Sequence, residues 1–322
     1  MSHSRSAPDR PNQSEPHRYL SGCALSAVAG AVLALQSRIN GDFGHRVHDG
    51  VLAALISFSS SLTLCTLILA LFAVRGKAGA LIRQLRANRL PPWYYLGGIA
   101  GAYTLISQGE AVTALGVAVF TIAAVSGQSI ASLVIDRLGI GPSGRQPVTA
   151  FRLIGAVLSI GSVIVAVSGK FHTPEAIGLI VLPVVAGIVT PLHQALNGRV
   201  RAASHSTLAP TLINFVVGTA LLLPVFGIEV AIRGAPGNIP TPPWPAYVGG
   251  PLGVTFIAIT VTVVRQIGVL LLALATIAGQ LVMAIILDLI APTAGMHPGP
   301  ATYVGTALTI VAVAVAAIHR RR

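Results

Sequence analysis

Long apolar runs separated by short polar segments dominate the chain. Runs of about 20 apolar residues are long enough to cross ~30 Å of hydrocarbon as an α-helix. Read by run length, the pattern predicts an all-α integral membrane protein with ten transmembrane helices. The predicted spans lie at 20–38, 51–74, 93–110, 115–135, 151–168, 176–194, 208–230, 245–264, 267–288 and 302–318.

Composition supports the membrane class. Only 9% of the 322 residues are charged and 53% are hydrophobic, whereas about a quarter of the residues of a soluble domain are charged. The formal net charge of +12 could suggest nucleic-acid binding. However, the basic residues fall in short loops and tails and not on an aromatic-rich face, so we expect the lipid bilayer and no nucleic acid as a partner.

The distribution of Lys and Arg predicts an orientation. If both termini face the cytoplasm, 17 of the 21 basic residues lie in inner segments. The outer segments then hold four, which are Arg38, Arg46, Lys170 and Arg233. Because cationic loops resist translocation, this asymmetry favours an N-in, C-in protein of the bacterial cytoplasmic (inner) membrane.

An internal repeat divides the apolar part of the chain. The segment 35–41 (LQSRING) recurs as 192–198 (LHQALNG), 157 positions later, and Gly127-Gln128 recurs as Gly279-Gln280, 152 positions later. A polar N-terminal tail (1–19) therefore precedes a first unit (20–170) and a second unit (171–322). Five spans per unit is an odd number, so the second unit must enter the membrane upside down. Inverted-topology repeats of this kind are typical of secondary transporters.

The repeated residues resemble a known family. The segments 35–41, 53–58, 92–93 with 97–101, and 127–136 are similar to the YdcZ-type branch of the drug/metabolite transporter superfamily, and the chain resembles a fused form with two five-helix units. The resemblance implies a ten-helix transporter of a small molecule. The first helix lacks the membrane-embedded Glu of the small multidrug exporters in that superfamily, which argues against proton-coupled export of cations by that residue.

Two glutamines are candidates for substrate contact. Gln128 and Gln280 are equivalent by the repeat, and both fall near the middle of a predicted span. A polar side chain in lipid costs free energy unless it faces protein or water. The two amides could bind a substrate, or they could form interhelical hydrogen bonds worth ~0.6–2 kcal/mol each.

A second set of polar candidates lies at the predicted ends of the first helix of each unit. The set consists of Gln36, Asn40, His193 and Asn197. Because a Gly follows each Asn, one interpretation is a helix C-cap or turn. The recurrence of the polar positions in both units keeps a gating or substrate-binding role open.

Three acids need a separate explanation. Glu110 has no acidic counterpart in the second unit and lies at the edge of the third span, so it is either an interfacial acid or an intramembrane carboxyl. Asp136 and Asp288 end the fourth and ninth spans, where the helix dipole disfavours an acid. We expect a salt bridge, with Arg137 or Arg152 for Asp136, or a gating role.

Together these features predict a secondary transporter, most simply an exporter, of a small organic metabolite or drug-like solute by alternating access. A proton or sodium ion could couple transport, and the protein could be a monomer or a homodimer. No catalytic motif, metal site or cofactor site is expected. The alternative is a membrane-embedded enzyme or a lipid-handling scaffold without transport activity.

Overall fold

The computed structural model describes residues 14–74, 79, 90–140, 145, 148–168, 178–234, 244–292 and 298–317. Within these ranges the secondary structure is helical. The α-helices are α1 (Ser14–Val47), α2 (Gly50–Val74), α3 (Gly97–Leu115), α4 (Val117–Leu138), α5 (Ala150–Ser168), α6 (Val181–Ser204), α7 (Leu208–Arg233), α8 (Gly249–Ile290) and α9 (Pro300–Ala317). Two short 3₁₀ turns, Pro92–Leu96 and Trp244–Val248, precede α3 and α8. Most of the tail 1–19, the basic segment 80–89 and the C-terminal arginines lie outside the described residues.

The helices have the length and surface of membrane helices. Leu20–Val47, Gly50–Val74, Val117–Ile135 and Leu208–Arg233 are each long and apolar enough to cross a membrane, and Ala150–Ala166, Leu274–Ile290 and Pro300–Val315 are shorter apolar helices. Large apolar side chains are exposed along them, including Leu71, Ile164 and Ile228. Such a surface is unfavourable in water and favourable against lipid.

The helix ends correct one prediction. Asn40 and Asn197 do not cap their helices, because α1 continues to Val47 and α6 to Ser204. The chain instead turns at His48 and His205, which have left-handed φ angles of 52° and 50°. These two histidines are also 157 positions apart, so the repeat extends to the true ends of both helices. Gln36 and His193 likewise lie inside the helices and not at their ends.

Helix α8 covers two of the predicted spans and is sharply bent. A straight helix of its 42 residues would be about 63 Å long. However, Gln36 of α1 donates a hydrogen bond to the carbonyl oxygen of Gly249, and Gly30 of α1 packs against the carbonyl oxygen of Thr276. Gly30 and Gln36 are only about 9 Å apart along α1. Both arms of α8 therefore lie against α1, so α8 forms a V-shaped unit that packs around α1.

Helices α3 and α4 form the corresponding V around α6. The two helices meet at Gly116, whose φ of 83° is a conformation that side-chain-bearing residues rarely adopt. Gly97 of α3 packs against Asn197, while Ala124 of α4 packs against Gly187. Gly97 and Leu138, the outer ends of this V, lie 152 positions before Gly249 and Ile290, the ends of α8.

The close contacts in the two V-shaped units match pair by pair. A methyl group on Gly30 would overlap the carbonyl oxygen of Thr276, and one on Gly187 would overlap that of Ala124. Gly279 meets the carbonyl oxygen of Ala27 in the same way that Gly127 meets that of Val184. The remaining helices pair with their own counterparts, since α2 packs on α7 and α5 packs on α9. Absent side chains thus allow close backbone approach between the halves.

Candidate functional site

A buried cluster of polar side chains, here called the first polar cluster, joins α1 to α3 and α8. It consists of Gln36, Asn40, Ser57 and Gln108. The Gln36 amide donates to the carbonyl oxygen of Gly249 at 2.9 Å, and the Asn40 amide donates to the side-chain oxygen of Gln108 at 2.7 Å. All four side chains are at most 4% exposed. Their hydrogen bonds offset part of the cost of burying amides in an apolar bundle.

Glycines of α8 bring the backbone against this cluster. A methyl group on Gly249 would lie 2.7 Å from the Asn40 side-chain oxygen, and one on Gly253 would lie 2.8 Å from the Gln36 amide nitrogen. The Ser57 hydroxyl lies beside Gly249 as well. That hydroxyl is buried and has no hydrogen-bond partner within the described structure. A buried, unpaired hydroxyl is costly and is available to a ligand.

A second polar cluster occupies the equivalent place in the other half. It consists of His193 and Asn197 on α6 and Asn214 on α7. The Nε2 atom of His193 lies 2.7 Å from the side-chain oxygen of Asn214 and 2.7 Å from the side-chain nitrogen of Asn197. Each member corresponds to a member of the first polar cluster: His193 to Gln36, Asn197 to Asn40 and Asn214 to Ser57.

Glycines of α3 line the second polar cluster as those of α8 line the first. Gly97 faces the side chains of Asn197 and His193, and Gly101 faces the Asn214 amide. Gly97 and Gly101 are equivalent to Gly249 and Gly253. In both halves, therefore, the polar residues of the first two helices meet the glycine-lined start of the other half's V.

Two phenylalanine rings lie between the clusters. Phe58 and Phe215 meet edge to face, with ring centroids 5.3 Å apart and ring planes at 77°. Gly253 contacts both Gln36 and Phe215, and Gly101 contacts both Asn214 and Phe58. The aromatic pair thus lies next to both polar clusters, and it is almost completely buried.

The glutamines of the predicted mid-span pair lie elsewhere. Gln280 is buried, and its backbone nitrogen lies against Gly30 of α1; the backbone nitrogen of Gln128 lies against Gly187 of α6. Each glutamine thus lies where a V-shaped unit packs against the first helix of the other half. The geometry favours the two polar clusters as the site, and a substrate role for Gln128 and Gln280 stays a prediction.

Two of the acids bind backbone amides at helix N-termini. Glu110 is exposed and accepts a hydrogen bond from the Gly50 amide at 2.7 Å, at the start of α2. Asp288 is buried and accepts from the amides of Val117 and Ala118, at 3.0 and 2.8 Å, at the start of α4. The dipole of α8 disfavours an acid at its C-terminal end. The N-terminus of α4, in the other half, compensates because it stabilises a negative charge. The side chain of Asp136 lies outside the described residues.

Some residues of this region are visible in the sequence as a repeat, whereas Gln108 was missed. Ser57, Phe58, Asn214 and Phe215 already stand out as Ser57-Phe58 repeated at Asn214-Phe215, but a repeat alone does not reveal that the four meet. Gln108 gave no signal, because its position in the second half is Thr260. Only the fold brings it to Asn40.

Comparison with known proteins agrees with the two-unit organisation. The family model described as "Putative inner membrane exporter, YdcZ" matches the chain twice, over residues 22–165 and 178–315. A crystal structure of a protein that is 17% identical to this chain superposes with a TM-score of 0.58, covering 94% of this chain and 96% of that one. At that identity the likeness shows the fold alone. No curated protein matches the chain.

Proposed function

We propose, because this chain belongs to the YdcZ family of the drug/metabolite transporter superfamily in its fused two-repeat form, that it exports a small organic solute across the inner membrane by alternating access. The observation that carries the proposal is the matched pair of buried polar clusters on either side of Phe58 and Phe215. The family description as an inner membrane exporter supports a transporter role.

The first element of the proposal is inverted topology. The halves contact each other reciprocally, so that each first helix lies in the V of the other half. Reciprocal contacts are those of a two-fold relation. With five spans in each half, such an axis lies in the membrane plane, and each half can exchange its conformation with the other. The excess of basic residues in the predicted cytoplasmic segments supports N-in, C-in insertion.

The second element is the gate. Phe58 and Phe215 occupy equivalent positions and touch each other, as expected of residues beside the axis. With both polar clusters buried, this conformation is proposed to be closed to both sides. Movement of α2 against α7 would separate the rings and expose one polar cluster to one side of the membrane.

The third element is the class of solute. Every side chain of the first polar cluster is an amide or a hydroxyl, and the second adds only an imidazole. No described carboxylate belongs to either cluster, since Glu110 is held at Gly50. A solute with a permanent positive charge would lack a counter-charge there and, unlike a titratable side chain, could not lose its charge, so burying it in a low-dielectric site is expensive. We therefore propose an uncharged or zwitterionic solute rich in hydrogen-bonding groups.

The experiment compares the growth medium of bacteria overproducing the wild-type protein with that of cells carrying an empty vector. Mass spectrometry of small molecules should find at least one polar solute enriched in the wild-type medium. Asn40→Ala and Asn197→Ala should each abolish the enrichment while the protein stays in the membrane. Both remove an amide from a buried network without adding bulk.

Thr63→Ala is the matched control, because Thr63 is exposed on α2 and, among the described residues, its hydroxyl donates to the carbonyl oxygen of Ser59 in its own helix. It should leave the enrichment intact. Identical media from wild-type and empty-vector cells across the solutes detected would contradict the exporter. Enrichment that survives both Asn substitutions would contradict the assignment of the site.

A further inference from the structure

The Nε2 atom of His193 lies next to two groups with opposite hydrogen-bonding requirements. Its Nε2 atom lies 2.7 Å from the Asn214 oxygen, which accepts hydrogen bonds, and 2.7 Å from the Asn197 amide nitrogen, which donates them. A nitrogen that carries a hydrogen can satisfy only the oxygen, and a nitrogen with a free lone pair can satisfy only the amide. The ring therefore has two alternative partners.

We infer that His193 is the proton-binding site that couples this transporter to a proton gradient, an inference that rests on the proposed function. In the neutral ring with hydrogen on Nδ1, the Nε2 lone pair accepts from Asn197. One proton taken up from the aqueous side then adds to Nε2. The resulting imidazolium donates to the Asn214 oxygen and repels the Asn197 amide. Release of the same proton to the opposite side restores the first pairing.

The partner exchange reaches the gate through Asn214. The Asn214 side-chain amide and the Phe58 ring both lie next to Gly101, and the backbone carbonyl oxygen of Asn214 lies against Gly98. Both glycines belong to α3 in the first half, whereas Asn214 belongs to α7 in the second. A change in the hydrogen bond between His193 and Asn214 therefore acts on the boundary between the halves, next to Phe58 and Phe215.

The repeat supplies an internal comparison. In the first polar cluster the position of His193 is occupied by Gln36, whose amide cannot take up a proton near neutral pH. Imidazole is the side chain whose ordinary titration lies between about pH 5 and 8. Any proton-linked step at these positions would therefore belong to the second half alone.

Three ionisable groups on the elements around His193 have hydrogen-bond partners other than His193. The Tyr103 hydroxyl donates to the carbonyl oxygen of Leu182, Glu110 binds Gly50, and Arg199 on α6 itself donates to the carbonyl oxygens of Gly139 and Ile140. The remaining ionisable groups with described side chains on these elements are Tyr94 and Tyr95 in the adjoining 3₁₀ turn, Arg137 on α4, Arg201 on α6, and Glu229 with Arg233 on α7.

The test first follows the imidazole itself. Full-length protein labelled with ¹⁵N-histidine, in lipid nanodiscs, is titrated between pH 5 and 9 and compared with His193→Gln. We expect one ring whose Nε2 signal changes from unprotonated to protonated, and whose signals are missing from the variant. His205→Gln is the control, because His205 is an exposed residue just beyond the end of the same helix. A His193 ring that keeps one protonation state throughout would overturn the inference.

The second measurement follows the distance between the two halves. Spin labels at Arg46→Cys and Ile232→Cys, in a background without Cys23 and Cys65, report the separation of α1 and α7 at one end of the bundle. We expect the distance distribution to shift with pH in the wild-type background and with His205→Gln, and to lose this shift with His193→Gln. An identical pH shift in His193→Gln, or none in the wild type, would overturn the inference.

Failure of the coupling and failure of the export proposal are distinguishable. An exporter driven by another gradient would still enrich a solute in the growth medium, and the enrichment would depend on external pH in the same way in wild type and His193→Gln, whatever its level in the variant. A protein that exports nothing would give identical media for wild type and empty vector, whatever the state of His193.

Discussion

Phe58 and Phe215, 157 positions apart and equivalent in the two halves, meet edge to face with ring centroids 5.3 Å apart. In the proposed two-fold arrangement, a residue touches its own repeat counterpart only beside the axis that relates the two copies. The contact therefore marks where the halves meet, between two polar clusters that are each lined by glycines of the other half. The geometry is the favourable one for aromatic pairs.

Space around Phe58 should be tightly limited. A methyl group on Gly218 would overlap the Phe58 ring, whereas one on Gly227, nine residues later in α7, would meet nothing within 4 Å. We expect Gly218→Ala to lower the free energy of unfolding by about 1–3 kcal/mol through overpacking. Gly227→Ala should be neutral or stabilise by up to about 1 kcal/mol. Unfolding by SDS titration in mixed micelles measures both, and equal effects would contradict the packing of Phe58.

The two V-shaped units should respond alike to added bulk. Alanine at Gly30 or at Gly187 places a methyl group on a carbonyl oxygen of the opposing helix, and backbone cannot rotate away as a side chain can. We expect each substitution to lower the free energy of unfolding by at least the about 1–3 kcal/mol that is typical of overpacking. The two losses should agree within about 1 kcal/mol, which is wider than the usual error of adding independent effects.

Gly161→Ala is the control for that pair, because a methyl group there meets no described residue within 4 Å. Thermal unfolding of detergent-solubilised protein compares the three variants. A strong effect at Gly30 with none at Gly187 would argue against matched packing of the halves.

Asp288 should matter more for stability than a cap at an accessible helix end. Its buried carboxylate accepts two amides of the other half, and hydrogen bonds to charged groups contribute about 1.5–3 kcal/mol each. Asp49 is a partly exposed cap that accepts a hydrogen bond from the Leu52 amide at the start of α2. Replacing Asp49 with Ala should lower the free energy of unfolding by about 0.5–2 kcal/mol. SDS unfolding of Asp288→Ala and Asp49→Ala provides the comparison, and the reverse order would contradict the role of Asp288.

The orientation in the membrane can be checked with two exposed arginines. Arg46 lies near the end of α1 and Arg137 near the end of α4. In cells, a membrane-impermeant thiol reagent should label Arg46→Cys from outside and should reach Arg137→Cys only after the membrane is opened, because N-in insertion puts them on opposite sides. The background lacks Cys23 and Cys65. Labelling of both from the same side would contradict N-in, C-in insertion.

The helices were predicted well from the sequence, and the site only in part. The bounds predicted for the second, fifth and seventh spans lie within three residues of α2, α5 and α7. The end of α1 was missed, because Asn40-Gly41 is a common helix-ending pair and nothing local reveals that the polar residues are buried by another helix. The polar candidates Gln36, Asn40, His193 and Asn197 nevertheless proved to lie together in two clusters.

The sequence by itself determined the class of protein, its duplication and the position of most helices. These follow from local properties, namely the transfer of apolar side chains into lipid and the recurrence of motifs along the chain. Only the tertiary structure decided which polar groups meet. The Gln36 amide and the Gly249 carbonyl are 213 positions apart, and their contact depends on how a bent α8 closes around α1. The same holds for His193, whose two competing partners come together through a helix turn and an interhelical contact.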